Sequence, residues 1–505
     1  MDNIIEVKID KKVELSDASD LYEARKIVSE LSLVAKKYES EVTVWIQGYN
    51  KLEKTKRCVE SVLKYTTDVD YELLLVDNGS TDGTFEYFKS IDHPKKTIVR
   101  INENIGTMYV YNVVQPNMIS RYLVMLANDI IVTKNWLSNM LKVMKSDDKI
   151  GMVNPVSSNT SNMQCVNINY STYDEMQEKA ARYNCSDPAK WQERLRLITL
   201  GTLFRKECIL ACGWPLNDVG FFHDFADDDL TFSVRRAGYK AILATDTWIC
   251  HDHKSTERDF EKMQNSLDAG RKNFLDKYHG IDAWDDVNNY IYNVLGNSIK
   301  NVQSNKATIL GVDVKCGTPI LDIKNIIREY GIYDAELSAF TRDAKYIEDL
   351  NTICDGKVVC DREEYLNRSF TYMYYDYIII DKEINAYEQP FNVLADAYML
   401  LKPGGQLIYS LHNTNTFYAF MKMLGYTVNK VSDEYYYDYP FDRMYADAEA
   451  MGMKVSFIAK GEEIYLGKKE NDFIKSVVST YGKKDMEEEL FLRLTTERVW
   501  FSIEK

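Results

Sequence analysis

Twelve consecutive residues constrain this chain more than any other stretch. Leu73-Leu74-Leu75-Val76 is an apolar run of strand length. It passes without a spacer into Asp77-Asn78-Gly79-Ser80-Thr81-Asp82-Gly83-Thr84. These polar residues tolerate left-handed backbone or cap helix ends, so the chain should turn sharply into a helix from about Thr84. Strand, tight polar turn and helix start together present carboxylates and amides to a nucleotide. An α/β fold follows as the expectation, with ligands at the carboxyl ends of its strands.

The surrounding sequence repeats the pattern. Val42-Thr43-Val44-Trp45-Ile46 reads as a strand ending in Gln47-Gly48-Tyr49-Asn50, and 51–65 as a helix with Val59, Val62 and Leu63 inward. Tyr122 to Val132 is apolar except for Asn128 and Asp129, and reads as a buried strand delivering Asp129 to a sheet edge. Taken alone, Asp129 reads as a turn residue at a strand end sooner than as a ligand. A hard cation bridging a diphosphate requires an anionic oxygen in such a place.

Residues 1–40 are charged, and Leu21, Ala24, Ile27, Val28, Leu31 and Val34 form a helical stripe. Residues from 255 to about 306 are polar and helical. The α/β alternation then restarts, with strands at Thr308–Val312, Asp376–Asp381, Gln406–Ser410, Met453–Ala459 and Glu497–Ile503. The expected division is an N-terminal helical arm (1–40), an α/β domain (41–256), a helical linker (257–306) and a second α/β domain (307–505).

Composition serves mainly to exclude. A length of 505 residues makes two or three domains the expectation. The net charge of −15 argues against a nucleic-acid partner, which would need a basic footprint. No apolar run reaches the roughly 18 residues of a membrane span, and the start is not basic-then-apolar. A cytoplasmic protein without a membrane span is expected. Nine cysteines without a Cys-x-x-Cys fit reduced thiols, and Cys208 and Cys212, four apart on a helix, fit a core better than a metal pair.

Val42 to Thr256 resembles a family 2 glycosyltransferase of the GT-A fold. The Val76–Thr84 run carries the likeness intact, and Gln47-Gly48-Tyr49-Asn50 matches the family's first turn with two positions changed. Asn102-Glu103-Asn104-Ile105-Gly106, with Asn112 beyond, matches its Asn-x-Gly element, and Ala127-Asn128-Asp129 its metal strand with only the last carboxylate kept. Leu200 to Glu207, Phe221 to Leu230, Ser233 to Tyr239 and Trp248 to Thr256 follow in the family's order, with Ala226 replacing a glutamate.

The resemblance implies an inverting, metal-dependent transfer of a sugar from a nucleotide donor to a hydroxyl, best matched by GlcNAc from UDP-GlcNAc. It implies donor contacts from Gln47, Tyr49, Asn50, Asp77, Asp82, Asn104, Gly106 and Asn128, with Asp77 accepting from a uracil imide. Asp82 serves equally as a helix N-cap. Asp129 with His251 would hold Mn²⁺ or Mg²⁺, His253 being the alternative. Asp227 would be the general base; Asp227, Asp228 and Asp229 also suit the acidic first turn of a solvated helix. Gly201, Trp214, Phe222 and Asp228 would line the acceptor side, the aromatic residues suiting core packing equally.

Residues 307–505 resemble a class I S-adenosylmethionine methyltransferase, a Rossmann-like domain, through Leu401-Lys402-Pro403-Gly404-Gly405 and the strand after it. Pro319 stands where the family has its second loop glycine, and the acid expected after Leu337–Phe340 is missing, so S-adenosylmethionine is not expected to bind. Single-chain bacterial enzymes of this layout resemble those that place GlcNAc on Ser or Thr of flagellin. A cell-surface polysaccharide acceptor, a bifunctional glycosyltransferase/methyltransferase and a non-catalytic scaffold remain the alternatives.

Overall fold

The computed structural model describes residues 3–8, 39–106, 110, 118–213, 217–218, 220–221, 224–252, 260–425, 436–481 and 487–505. The chain forms two compact units, residues 1–288 and 289–505. The helix Phe260–Lys277 belongs to the first of them, although the sequence had placed it in a linker. The helical stripe expected over 20–37 and Asn112 lie outside the described residues.

The first unit is built on one sheet. Its strands are β1 (Asn3–Val7), β2 (Val42–Gly48), β3 (Tyr71–Asn78), β4 (Lys96–Ile101), β5 (Tyr122–Ala127), β6 (Ile130–Ile131), β7 (Ile150–Ser157), β8 (Trp191–Glu193), β9 (Thr202–Arg205) and β10 (Lys240–His251). The order is β1-β4-β3-β2-β5-β9-β7-β10-β6, with β8 paired to β10. From β1 to β5 all pairs are parallel; β9 runs antiparallel to both of its neighbours.

Asn3–Val7 corrects one expectation: it is a strand, not part of a helical arm. Ile4, Ile5 and Val7 favour extended backbone, and the free edge of β4 offers pairing groups. A second correction concerns Tyr122–Val132, which is two strands. β5 stops at Ala127, Asn128-Asp129 turns a corner, and β6 joins the far edge of the sheet against β10.

Both faces of the sheet are covered, so its strands read as continuous apolar runs. Val44, Ile46, Leu73, Leu75, Val124 and Leu126 enter one core cluster. The residues between them, Trp45, Leu74, Val76, Leu123 and Met125, enter the other. This alternation is the two-residue period of a strand with each side chain buried.

The second unit has strands β11 (Lys306–Val312), β12 (Asp334–Thr341), β13 (Val358–Cys360), β14 (Tyr375–Ile380), β15 (Leu401–His412), β16 (Lys454–Lys460) and β17 (Arg498–Glu504). Their order is β13-β12-β11-β14-β15-β17-β16, parallel through β15 and antiparallel in the last two pairs. This is a doubly wound, Rossmann-like sheet with two antiparallel strands added at one edge. No described helix is long and apolar enough to cross a membrane.

Candidate active site

Three adjacent parallel strands set the frame. Gly48 on β2 pairs with Asp77 on β3, and Gln47 pairs with both Val76 and Ala127. Asp77, Gly48 and Asn128 therefore leave the sheet side by side. At about 4.8 Å per strand the row spans roughly 10 Å, on the scale of a nucleoside and its first phosphate.

Asp77 is fully buried. Its Oδ1 accepts from Ser80 N at 3.0 Å, while Oδ2 has no hydrogen-bond partner among the described residues. Burial pushes the carboxyl up, against the pull of the Ser80 hydrogen bonds. An orphaned buried acceptor costs about 1–3 kcal/mol, so a ligand N–H here would recover that loss. Gln47 Oε1, one strand over, is in the same condition.

Four residues expected at the donor also frame the turn. Asp82 Oδ2 accepts from Leu52 N at 2.8 Å, and Oδ1 accepts from Thr84 N at 3.2 Å and Thr84 Oγ1 at 2.7 Å. It thus serves the starts of two helices. Burial would raise its carboxyl, but the bonds from Thr84 and Leu52 outweigh it and hold it below the usual range. Asn50 Oδ1 accepts from Thr81 N at 2.9 Å, and Asn128 Nδ2 donates to Asn50 O at 3.2 Å and Thr55 Oγ1 at 3.0 Å. Asn104 Oδ1 accepts from Asn78 Nδ2 and Gly106 N, both at 2.9 Å. Gly106 is left-handed (φ +87°), and Tyr49 is exposed.

The Asn128-Asp129 corner brings two distant side chains together. Ile130 pairs with His251 and Ile131 with Cys250, which sets Asp129 Oδ2 3.7 Å from His251 Nε2. His251 Nδ1 lies 3.1 Å from Asn159 O. A carbonyl only accepts, so Nδ1 donates in that contact, and Nε2 is the ring nitrogen that faces the carboxylate. Around the same histidine, its N donates to Ser158 Oγ at 3.0 Å and Asn159 Nδ2 donates to its O at 3.2 Å. An imidazole nitrogen oriented by a carbonyl, beside a carboxylate, is a donor set that suits Mn²⁺ or Mg²⁺. No group of three or more His, Cys, Asp or Glu converges among the described residues. His253 lies outside the described residues.

The helix Ala226–Arg236 starts after Phe225, left-handed at φ +65°. Its three acids part company. Asp229 Oδ1 accepts from Lys277 Nζ at 2.6 Å and Tyr278 OH at 2.7 Å. Asp228 is buried in a close pair with Arg196, not on an open acceptor face. Asp227 Oδ1 accepts from Thr199 N at 3.2 Å and from Thr199 Oγ1. Burial pushes the Asp227 carboxyl up to about 6, with Asp228 adding to the rise and Thr199 and Arg196 opposing it.

Gly201 ties this group to the Asn128-Asp129 corner. At φ +64° it packs so closely that a Cβ would stand 2.7 Å from Ile249 Cδ1 and 3.4 Å from Leu126 Cδ2. Those residues precede His251 and Asp129 by two and three positions, and Thr199 is two positions before Gly201. Trp214 and Phe222 lie outside the described residues. Thr199, Ser158 and Asn159 had no signal in the sequence; they enter through contacts between distant strands.

Residues 43–190, within the first unit, match the family model for glycosyl transferase family 2. An uncharacterised glycosyltransferase of Rickettsia felis is 28% identical over 113 residues, 22% of this chain and 19% of that protein. The chain thus spans about a fifth of the length of this relative. Among solved structures, the mannosyltransferase PcManGT of Pyrobaculum calidifontis, in complex with GDP-Man and Mn²⁺, is 19% identical with a TM-score of 0.32, covering 48% of this chain and 66% of its own. A SAM-dependent methyltransferase of Archaeoglobus fulgidus is 16% identical with a TM-score of 0.29, covering 46% and 99%.

Proposed function

We propose that this protein is an inverting glycosyltransferase that uses a uridine-type nucleotide sugar and a divalent cation. The observation that carries the reading is the facing pair Asp129 Oδ2 and His251 Nε2, with the imidazole oriented by the carbonyl of Asn159. Asp77 Oδ2 takes the imide N–H of the base, which is the donor its burial leaves it without. Asp129 and His251 hold the cation at the end of the strand row. A cation bound there supplies Lewis-acid relief of the charge that builds on the departing diphosphate. Asp227, kept near neutrality by burial and fixed through one oxygen by Thr199, takes the proton of the acceptor hydroxyl through the other.

The donor sugar in this reading is GlcNAc, and the acceptor is a Ser or Thr hydroxyl of a protein such as flagellin, or a glycan hydroxyl. Both rest on the overall resemblance. Titration calorimetry of Mn²⁺ in the presence of UDP tests the site without turnover. Wild type should bind both, and Asp129→Asn and His251→Ala should lose the metal while retaining their fold by circular dichroism. Metal binding that survives both substitutions overturns the proposal. A donor screen in which only cytidine sugars bind, whose base has no ring N–H to give, would remove the role given to Asp77.

A further inference from the structure

The stretch 194–201, between β8 and β9, has no helix or strand of its own, yet it carries Thr199, whose bonds fix Asp227. Backbone groups outside a ladder need other partners. Some lie on the helix of Asp227 itself: Thr231 Oγ1 donates to Leu197 O at 3.3 Å, and Arg235 Nε to Leu195 O at 3.1 Å. Those bonds move with the helix and cannot hold it to the sheet.

Beside Thr199, the tie to the sheet is made by Gln164, which is only 1% exposed. Its Nε2 donates to Ile198 O at 3.0 Å, and its Oε1 accepts from Ile198 N at 2.7 Å. One planar amide thus closes on both backbone groups of the residue before Thr199, as an added strand would. Asn154 Nδ2, from β7, donates to the same Ile198 O. Gln164 is anchored in turn through its backbone: Ser157 N, at the end of β7, donates to Gln164 O at 3.1 Å.

The loop that ends in Gln164 begins at the other half of the site. Ser158 and Asn159 hold His251 through its backbone and its ring. Asn162 Nδ2 donates to Arg196 O at 2.8 Å and to Gln164 Oε1 at 3.0 Å. Asn159, Asn162 and Met163 are all left-handed, at φ +51°, +59° and +55°. Side-chain-bearing residues stay in that region only where their surroundings over-determine them, and such residues collect at functional sites.

We propose that Gln164 is a positioning residue of the transfer: it fixes Ile198, through it Thr199, and so the direction in which Asp227 presents its second oxygen to the acceptor. This rests on the reading of Asp227 as the base. Two charged groups face Asp227: Asp228, on its own helix, raises its carboxyl, and Arg196, from 194–201, lowers it. Lys277, from the helix Phe260–Lys277, meets Asp229 instead. The Thr199 bonds also lower the Asp227 carboxyl, so loosening Thr199 should raise its titration midpoint.

Carbon-13 NMR of the full chain, labelled at its aspartate carboxyls, reads that midpoint without a substrate; the Asp227 signal is the one missing in Asp227→Asn. Gln164→Met keeps the bulk and removes both bonds to Ile198. In it the midpoint should rise by about half a pH unit or more. Mn²⁺ affinity in the presence of UDP should stay as in wild type, because the backbone anchor and the His251 bonds are kept. Asn162→Gly suits the left-handed backbone and removes only the side-chain link, so it should show a smaller rise should Gln164→Met fail to fold. A midpoint unmoved in the folded variant overturns the inference. So does Mn²⁺ affinity that falls along with the rise, since the side chain would then merely hold the loop together. UDP release from UDP-GlcNAc that survives Asp227→Asn overturns the reading of Asp227 as base, and the role of Gln164 in transfer with it, whatever the midpoint does.

Discussion

In the proposed function Asp227, with one carboxylate oxygen tied to Thr199 and its carboxyl pushed up to about 6, links catalysis to stability. As a base it works when ionised, so transfer should rise with pH through about 6 and then level. The stability effect has the opposite direction. The folded state holds this proton more tightly than the unfolded chain does, whose carboxyl titrates near 3.8. That contribution is complete below about pH 4 and is lost as pH rises through about 6. Asp227→Asn should abolish transfer yet gain on wild type by 1–3 kcal/mol, as an order of magnitude, above about pH 6. Urea unfolding at about pH 4 and about pH 8 reads the difference, and an equal offset at both would refute it. Asn159 makes a narrower case. Asn159→Ala keeps the carbonyl but loses the Nδ2 bond to His251 O, and its left-handed φ of +51° then becomes strained. Mn²⁺ affinity should fall about tenfold by titration calorimetry, the scale of losing an outer support of a ligand.

At the scale of elements, the β3 turn is where local chemistry and tertiary contact coincide. Gly79 passes Glu103 so closely that a Cβ would stand 2.4 Å from its carbonyl carbon, and φ is +75°. Gly79→Ala should therefore cost about 2–4 kcal/mol in denaturant unfolding, the sum of backbone strain and a forced shift of 103–106. Asp82→Ala should cost about 1–2 kcal/mol, since two helix starts lose their acceptor. This turn was readable from sequence because its residues carry their backbone preferences with them. The Asp129–His251 pair was reachable only through resemblance, since 122 positions separate two residues joined by sheet topology. The break of Tyr122–Val132 into two strands was not readable, because both apolar runs are buried and hydrophobicity does not record direction. The parting of Asp227, Asp228 and Asp229 depends on Thr199, Arg196 and Lys277, none of them near in sequence.

For the molecule as a whole, the two units have separate cores, one set around β2, β3 and β5 and the other around β14, β15 and β17. UDP with Mn²⁺ should then raise one of two calorimetric transitions and leave the other in place, by mass action on the state that binds. A single transition shifted as a unit would contradict this. The two-residue pairing of β6 with β10 has a last consequence. Nothing covalent nearby spaces Asp129 and His251, the proposed ligands; the distance between them is a property of the sheet's outermost hydrogen bonds. Fraying of that rim would dismantle the centre in one event, so an ion lodged there acts as a rivet, and its release rate should report how often the rim opens.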